Sequence, residues 1–189
     1  MGMLSNFAKE VSSTIVSTVK GADDVLSSLR GAVKNQVVGS LKDVSDMATT
    51  GMDTLADIVS GSVSAASDVG TSVVGAAKGA VSSAVSGVSE LGGDVLSAAQ
   101  KAAQGAVSGA AELGGDLGEV AVSAVEGAIE AAGSVGVSTG DAAREAVLGV
   151  VKAADEVGGE VGKTVRAALM SAASLPHDVV EKVLKGSES

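Results

Sequence analysis

Glu90-Leu91-Gly92-Gly93-Asp94-Val95 is one copy of a pattern that returns along the whole chain every 22 residues. Its first two residues, an acid and then an apolar residue, recur as Asp24-Val25, Asp46-Met47, Asp68-Val69, Glu112-Leu113, Glu156-Val157 and Asp178-Val179. Only Ser134-Val135 breaks the acidic column. Twenty-two residues make six turns at about 3.67 residues per turn, so a repeat of twice eleven keeps one stripe of a nearly straight α-helix facing one way. The expected fold is therefore all-α: two to four long amphipathic helices of 11/22-residue repeats, extended or folded as a thin helical bundle.

Placed on a helical wheel with that period, the residues sort by chemistry. One apolar column is Ile15, Val37, Val59, Val81, Ala103, Val125, Val147 and Leu169. A second is Val19, Leu41, Val63, Val85, Val107, Ile129, Val151 and Ala173, and the columns that begin at Val25 and Leu29 complete an amphipathic arc. The acids lie opposite the middle of that arc. Lys34, Lys78, Arg144 and Arg166 share a column at its border, where an aliphatic stem lies on apolar surface while the charge reaches water. Val63, Val85, Val107, Ile129 and Val151 are thus the expected membrane-contacting or partner-contacting residues of the body.

Composition sets the limits. The 189 residues hold one Phe, no Trp, no Tyr, no Cys and 26 Gly, and the 46% hydrophobic fraction is mostly Val and Ala. Such small side chains suit a thin stripe better than a thick interior. The net charge is −10, and residues 45–189 hold eight Lys or Arg against nineteen acids, so the body repels nucleic acid. The absence of Cys removes disulfides and thiolate metal sites. The start, Met1-Gly2-Met3-Leu4-Ser5-Asn6, lacks the apolar run of a secretory signal and the myristoylation pattern. No window of about 18 apolar residues reads as a membrane span. A cytoplasmic location, or one peripheral to a membrane, is expected.

Within residues 1–20, Leu4, Phe7, Val11, Ile15 and Val19 follow helical spacing beside Lys9 and Lys20 and include the one aromatic residue. This segment reads as an amphipathic anchor for an anionic surface, or as a first helix packed in a bundle. Residues 21–175 form the repeat region, with hinges expected near 49–51 and 133–140, where Ser138 or Thr139 is a candidate cap for a new helix. Pro176 ends the repeat and, with Ser174, starts a short helix before a frayed tail within 176–189.

Glycine sets the main tension. Gly70, Gly92, Gly114, Gly136 and Gly158 fall in one column inside the apolar arc, and each costs a free helix about 1 kcal/mol relative to Ala. Helix then forms only where a partner or interface receives the stripe. The four-residue spacings Gly75…Gly79, Gly105…Gly109, Gly114…Gly118 and Gly158…Gly162 also allow close helix pairing, so self-association is expected as well.

Chemical motifs are sparse. Gly158-Gly159-Glu160-Val161-Gly162-Lys163-Thr164 resembles a phosphate-binding loop, but Val157 stands where the first glycine is required and no buried strand precedes it. His177 is the one histidine, which leaves a His metal site or His-paired nucleophile without its second member. Acid pairs four apart, such as Glu90 and Asp94 or Glu156 and Glu160, read as a solvated face. No enzyme, cofactor or metal is expected.

The blocks Gly75-Ala76-Ala77-Lys78-Gly79-Ala80-Val81 and Val122-Ser123-Ala124-Val125-Glu126-Gly127-Ala128-Ile129 are similar in style to the eleven-residue repeats of synucleins and perilipins. The 22-residue doubling over residues 13 to 185 resembles exchangeable apolipoproteins. These resemblances imply reversible adsorption, as a coating helix, on a lipid surface or other hydrophobic interface. Stress-protective LEA proteins and a large Ala-rich fish antifreeze share the eleven-residue period. They imply the alternative, a structural or self-assembling helical bundle or filament, in an ice-binding or stress-protective role.

Overall fold

The computed structural model describes residues 22–42, 51–68 and 72–187. All regular structure among them is helical. The helices are α1 (Ala22–Leu41), α2 (Met52–Asp68), α3 (Val73–Glu90), α4 (Val95–Glu112), α5 (Leu117–Ser134), α6 (Thr139–Val157), α7 (Gly159–Ser171) and α8 (His177–Ser187). The all-α expectation holds, but among the described residues eight short helices replace the expected two to four long ones. Each 22-residue unit from α3 to α5 spends 18 residues on a helix and four on a reversal.

The reversals follow from local chemistry. Gly92, Gly114 and Gly136 take φ of +73°, +68° and +77°, the left-handed region that glycine enters without steric cost. The amide of Gly93 then donates to the Val88 carbonyl at 3.0 Å and that of Gly92 to Ser89 at 3.0 Å, the paired bonds of a Schellman ending. Gly115 to Ala110 and Val137 to Ala132 repeat it. Two residues past each left-handed glycine stands the next N-cap. Asp94 accepts from the amides of Leu96 and Ser97, Asp116 from Glu119, and Ser138 from Asp141. Gly92, Gly114 and Gly136, expected to lie inside a continuous apolar stripe, are therefore helix stops; Gly158 joins α6 to α7 in extended backbone, and Gly70 lies outside the described residues. Beyond the connection at 135–138, which falls in the expected 133–140 hinge, equivalent connections occur at 91–94 and 113–116. Much of the expected 49–51 hinge lies outside the described residues.

In the body of the stack each helix packs most closely on the helix two places along the chain. Two layers result. The odd layer holds α1, α3, α5 and α7, and the even layer holds α2, α4, α6 and α8; the chain crosses between layers at every connection. Within a layer the helices run parallel, because contacting residue numbers rise together: Gly105 and Gly109 of α4 meet Ala56 and Ser60 of α2. Gly127 meets Lys78 and Gly149 meets Gln100 at the same separation of 49 positions.

The core lies between the layers. Val37, Val59, Val81, Ala103, Val125, Val147 and Leu169, the described members of the first apolar column, are all 0% exposed. An inner helix also buries its two flanks. On α4, Ala98, Ala99, Ala102, Ala103, Gly105, Ala106, Gly109 and Ala110 are all buried, which is more than one stripe. A helix covered across the layer and on both sides within it has room mainly for Ala and Gly, which accounts for a composition poor in large side chains.

Candidate interaction surfaces

Four described glycines bring helix backbones into close approach. A Cβ added to Gly105, Gly109, Gly127 or Gly149 would come within 3.0 Å of a carbonyl oxygen, of Ala56, Ser60, Lys78 and Gln100 respectively. Only hydrogen fits there, and the arrangement suits Cα–H···O contacts, worth roughly 0.5–1 kcal/mol each. Gly105, Gly127 and Gly149 form one column of the 22-residue repeat. Of the glycine pairs expected to permit close pairing, Gly105…Gly109 does so. Gly75 and Gly79 instead face the side chains of Leu26 and Arg30. Gly114 is a helix stop, whereas Gly118 lies against the Ala168 side chain. Gly158 has open space around it, and Gly162 leaves room for the Asp155 carboxylate. The column Gly105-Gly127-Gly149 was visible in the sequence. Its meaning depended on the connections, which turn one face of each helix toward a same-layer neighbour.

Charges decorate the outer faces and tie helices together both within and between the layers. In the odd layer Lys34 of α1 pairs with Glu90 of α3 at 2.5 Å. Lys78 of α3 reaches Glu126 and Glu130 of α5 at 3.5 and 3.8 Å, and Arg30 reaches Glu130 at 3.9 Å. In the even layer Lys101 of α4 meets Asp53 of α2 at 3.2 Å. Between the layers, Arg166 of α7 grips Asp155 of α6 through two bonds of 2.7 and 2.8 Å. That fork holds the Asp155 carboxyl below its ordinary range, chiefly by the hydrogen bonding itself. Conversely, partial burial, helped by the neighbouring Asp53 carboxylate, pushes Asp57 up. Glu90 also closes α3 at its negative dipole end, where an acid is unfavourable, and Lys34 compensates it there.

The expected contact residues are placed as follows. Val63, Val85 and Val107 are fully buried, Val151 is 5% exposed and Ile129 is partly buried against the core. The four valines lie in the molecule's own interior and Ile129 at its margin. Leu4, Phe7, Val11, Ile15 and Val19 lie outside the described residues. Of the border cations, Lys34, Lys78 and Arg166 bridge helices, while Arg144 lines an open cleft. That cleft, about 670 Å³ between α6 and α8, is floored by Leu148, Val179 and Val183 and edged by Asp141, Asp178 and Lys182. His177 donates its Nε2–H to the Met170 carbonyl at 2.6 Å, tying the start of α8 to the end of α7.

Among the described residues no group of three or more His, Cys, Asp or Glu side chains could hold a metal ion. No described helix is long and apolar enough to cross a membrane. No protein-family model matches the chain, and a search of curated proteins finds no match.

Proposed function

We propose that this chain is a non-enzymatic structural protein, a self-packed stack of 22-residue helical modules that offers a rigid body with acidic outer faces. One observation carries the reading: the seam glycines Gly105, Gly109, Gly127 and Gly149 each abut a neighbouring backbone carbonyl. A helix lying on oil or lipid gains nothing from glycine at those positions and loses about 1 kcal/mol at each relative to Ala. A stack needs them. The closed interior supports the same reading, because the valines and alanines of the repeat find their apolar partners within the chain.

The competing reading, reversible adsorption on a lipid or other hydrophobic surface, draws support from the common direction of the buried faces. Parting the layers would expose a continuous Val/Ala surface. Circular dichroism of the dilute chain, with and without anionic phospholipid vesicles, separates the two. The structural reading expects strong helicity and cooperative melting without lipid, little changed by vesicles. Low helicity that rises sharply on vesicles would overturn it in favour of adsorption.

A further inference from the structure

The connection between α6 and α7 departs from the others. The reversals at 91–94 and 113–116 each combine a left-handed glycine with an aspartate N-cap. Between α6 and α7 stands Gly158 alone, extended at φ 163° and ψ 156°. Glu160 occupies the repeat position of Asp94 and Asp116 but is already inside α7, which starts without a side-chain cap. The bend itself demands neither of its glycines. Extended backbone is open to any residue, and an added Cβ at Gly158 or Gly159 meets nothing within 4 Å.

The helical ladder is intact up to the bend and directly after it. The Gly158 amide donates to the Ala154 carbonyl at 3.1 Å, and the Gly162 amide to the Gly158 carbonyl at 3.0 Å. The amides of Gly159, Glu160 and Val161 and the carbonyls of Asp155, Glu156 and Val157 are left as helix-end groups, with no partner inside their own helix. Turning Gly158 alone into the helical region would join these three amides to these three carbonyls. Residues 139–171 would then be one helix about 50 Å long. The repeat suits that helix, since Val147, Val151, Ala154, Val161, Val165 and Leu169 fall on one stripe across the junction.

Straightening lifts α7 off α5 and α6 and bares the surfaces that bury Val165 and Leu169, both 0% exposed. It also opens the Arg166–Asp155 fork, because residues eleven apart lie about 16 Å apart along a helix. The bond from His177 to the Met170 carbonyl ties α8 to α7, so the two leave together. A second chain straightened in the same way carries the matching pair of helices.

We propose that Gly158 is an exchange hinge, and that this chain pairs with a second copy of itself by swapping α7 and α8, each pair seated on the α5 and α6 of the other copy. The fork to Asp155 and the Ser174–Glu126 bond are remade between copies, so the two states differ chiefly at the hinge. The two joined helices run antiparallel and cross near Gly158 and Gly159, where missing side chains let backbones approach. The proposal rests on the self-packed stack, since only contacts that close within one chain can be exchanged between two.

The chain has no cysteine, so engineered pairs report on which copy each helix sits. An added Cβ at Gly162 lies 3.4 Å from the Asp155 carboxyl carbon, which places D155C with G162C to bridge across the bend. In a joined helix the same two residues are about 10 Å apart and cannot bridge within one chain. V37C with G87C ties α1 to α3 away from the hinge, with 3.2 Å between the Val37 Cβ and the added one. Each double variant of the full chain is held at about millimolar concentration, the range a short linker sets for closure within one molecule. Monomer and dimer are separated by gel filtration with light scattering, then oxidised and read by non-reducing electrophoresis.

The D155C/G162C bridge should form within the chain in the monomer and between chains in the dimer, while V37C/G87C closes within the chain in both. Gly158→Ala should strengthen dimerisation about tenfold or more, because each of two hinges gains the helix preference of alanine. Gly159→Pro should weaken it about tenfold or more, since proline suits a first helical position but bars a helix running through residue 158. A dimer in which D155C/G162C closes within each chain overturns the exchange. So does the absence of a dimer in both the parent and Gly158→Ala, or a Gly159→Pro chain that dimerises as the parent does. In each of these cases a V37C/G87C bridge leaves the stack standing; if that bridge fails to close in the monomer, stack and exchange fall together.

Discussion

Replacing Gly127 by alanine should destabilise the protein, although alanine is the better helix former by about 1 kcal/mol. The new Cβ would fall under 3.0 Å from the Lys78 carbonyl oxygen, and 3.2 and 3.3 Å from its carbonyl carbon and Cα, whereas ordinary contact begins at 3.4 Å. The obstacle is backbone, which has no rotamer to swing aside, so α5 must back away from α3 by several tenths of an ångström or more. Overpacking of this kind costs about 1–3 kcal/mol, and a gap of 0.5–1 Å along the rest of the seam forfeits a quarter to a half of its dispersion attraction. With the backbone as obstacle the cost should lie near the upper end, leaving about 2 kcal/mol of net destabilisation after the propensity gain. For a chain of this length that lowers the melting temperature by about 4–8 °C. Gly39 is the internal control. It stands in the same repeat column, but nothing lies within 4 Å of an added Cβ. Gly39→Ala should therefore stabilise by about 0.5–1 kcal/mol. Thermal melts followed by far-UV circular dichroism would read both variants. If Gly127→Ala raises the melting temperature as Gly39→Ala does, the glycine column has no stacking role and the seam argument fails.

Asp116→Ala removes the side-chain acceptor of the Glu119 amide and should cost about 1 kcal/mol, read as a lower urea midpoint with an unchanged slope. Gly114→Ala forces a side chain into φ +68° and should cost about 1–2 kcal/mol, although an added Cβ meets nothing within 4 Å; an unchanged midpoint would refute the stop-residue account. For Asp155 the folded carboxyl lies below its unfolded counterpart, so the Arg166 pair stabilises above the unfolded pKa of about 3.9 and its contribution disappears as pH falls through the folded value. Asp155→Asn should thus destabilise at neutral pH, by about 0.2–1 kcal/mol for so exposed a pair, with a gap from the parent that closes on acidification.

The period and the core columns were legible because they depend only on which residues are apolar. Val37 through Leu169 are buried whether the helix is continuous or interrupted. The interruption was harder to see, since 22 residues fit six turns of one helix and equally fit an 18-residue helix with a four-residue reversal. What separates the two is Gly92 followed two residues later by Asp94, Gly114 by Asp116 and Gly136 by Ser138: a left-handed stop, then an N-cap. Ser138 was readable as a cap because the weaker helix formers around it lowered the competing signal. Asp94 and Asp116 stood between strongly helical blocks and read as part of a solvated acidic face. The contact surfaces were hidden for a further reason. Helix periodicity says which face is apolar but not that Gly105 must meet a carbonyl 49 positions away, which depends on how the reversals tilt successive helices.

The crossing of the chain between layers at every connection has a consequence for how such a molecule can change length. Duplicating or deleting two consecutive units, 44 residues, returns every later helix to its own layer and leaves each seam with an equivalent neighbour. A single unit would move all downstream helices to the opposite layer. Because each helix meets only near neighbours, losses at one seam should melt the array locally before they dissolve it, as in other linear arrays. Natural variation in size should therefore come in even steps, and a 44-residue internal deletion that fails to fold would show that the layers are not interchangeable along their length.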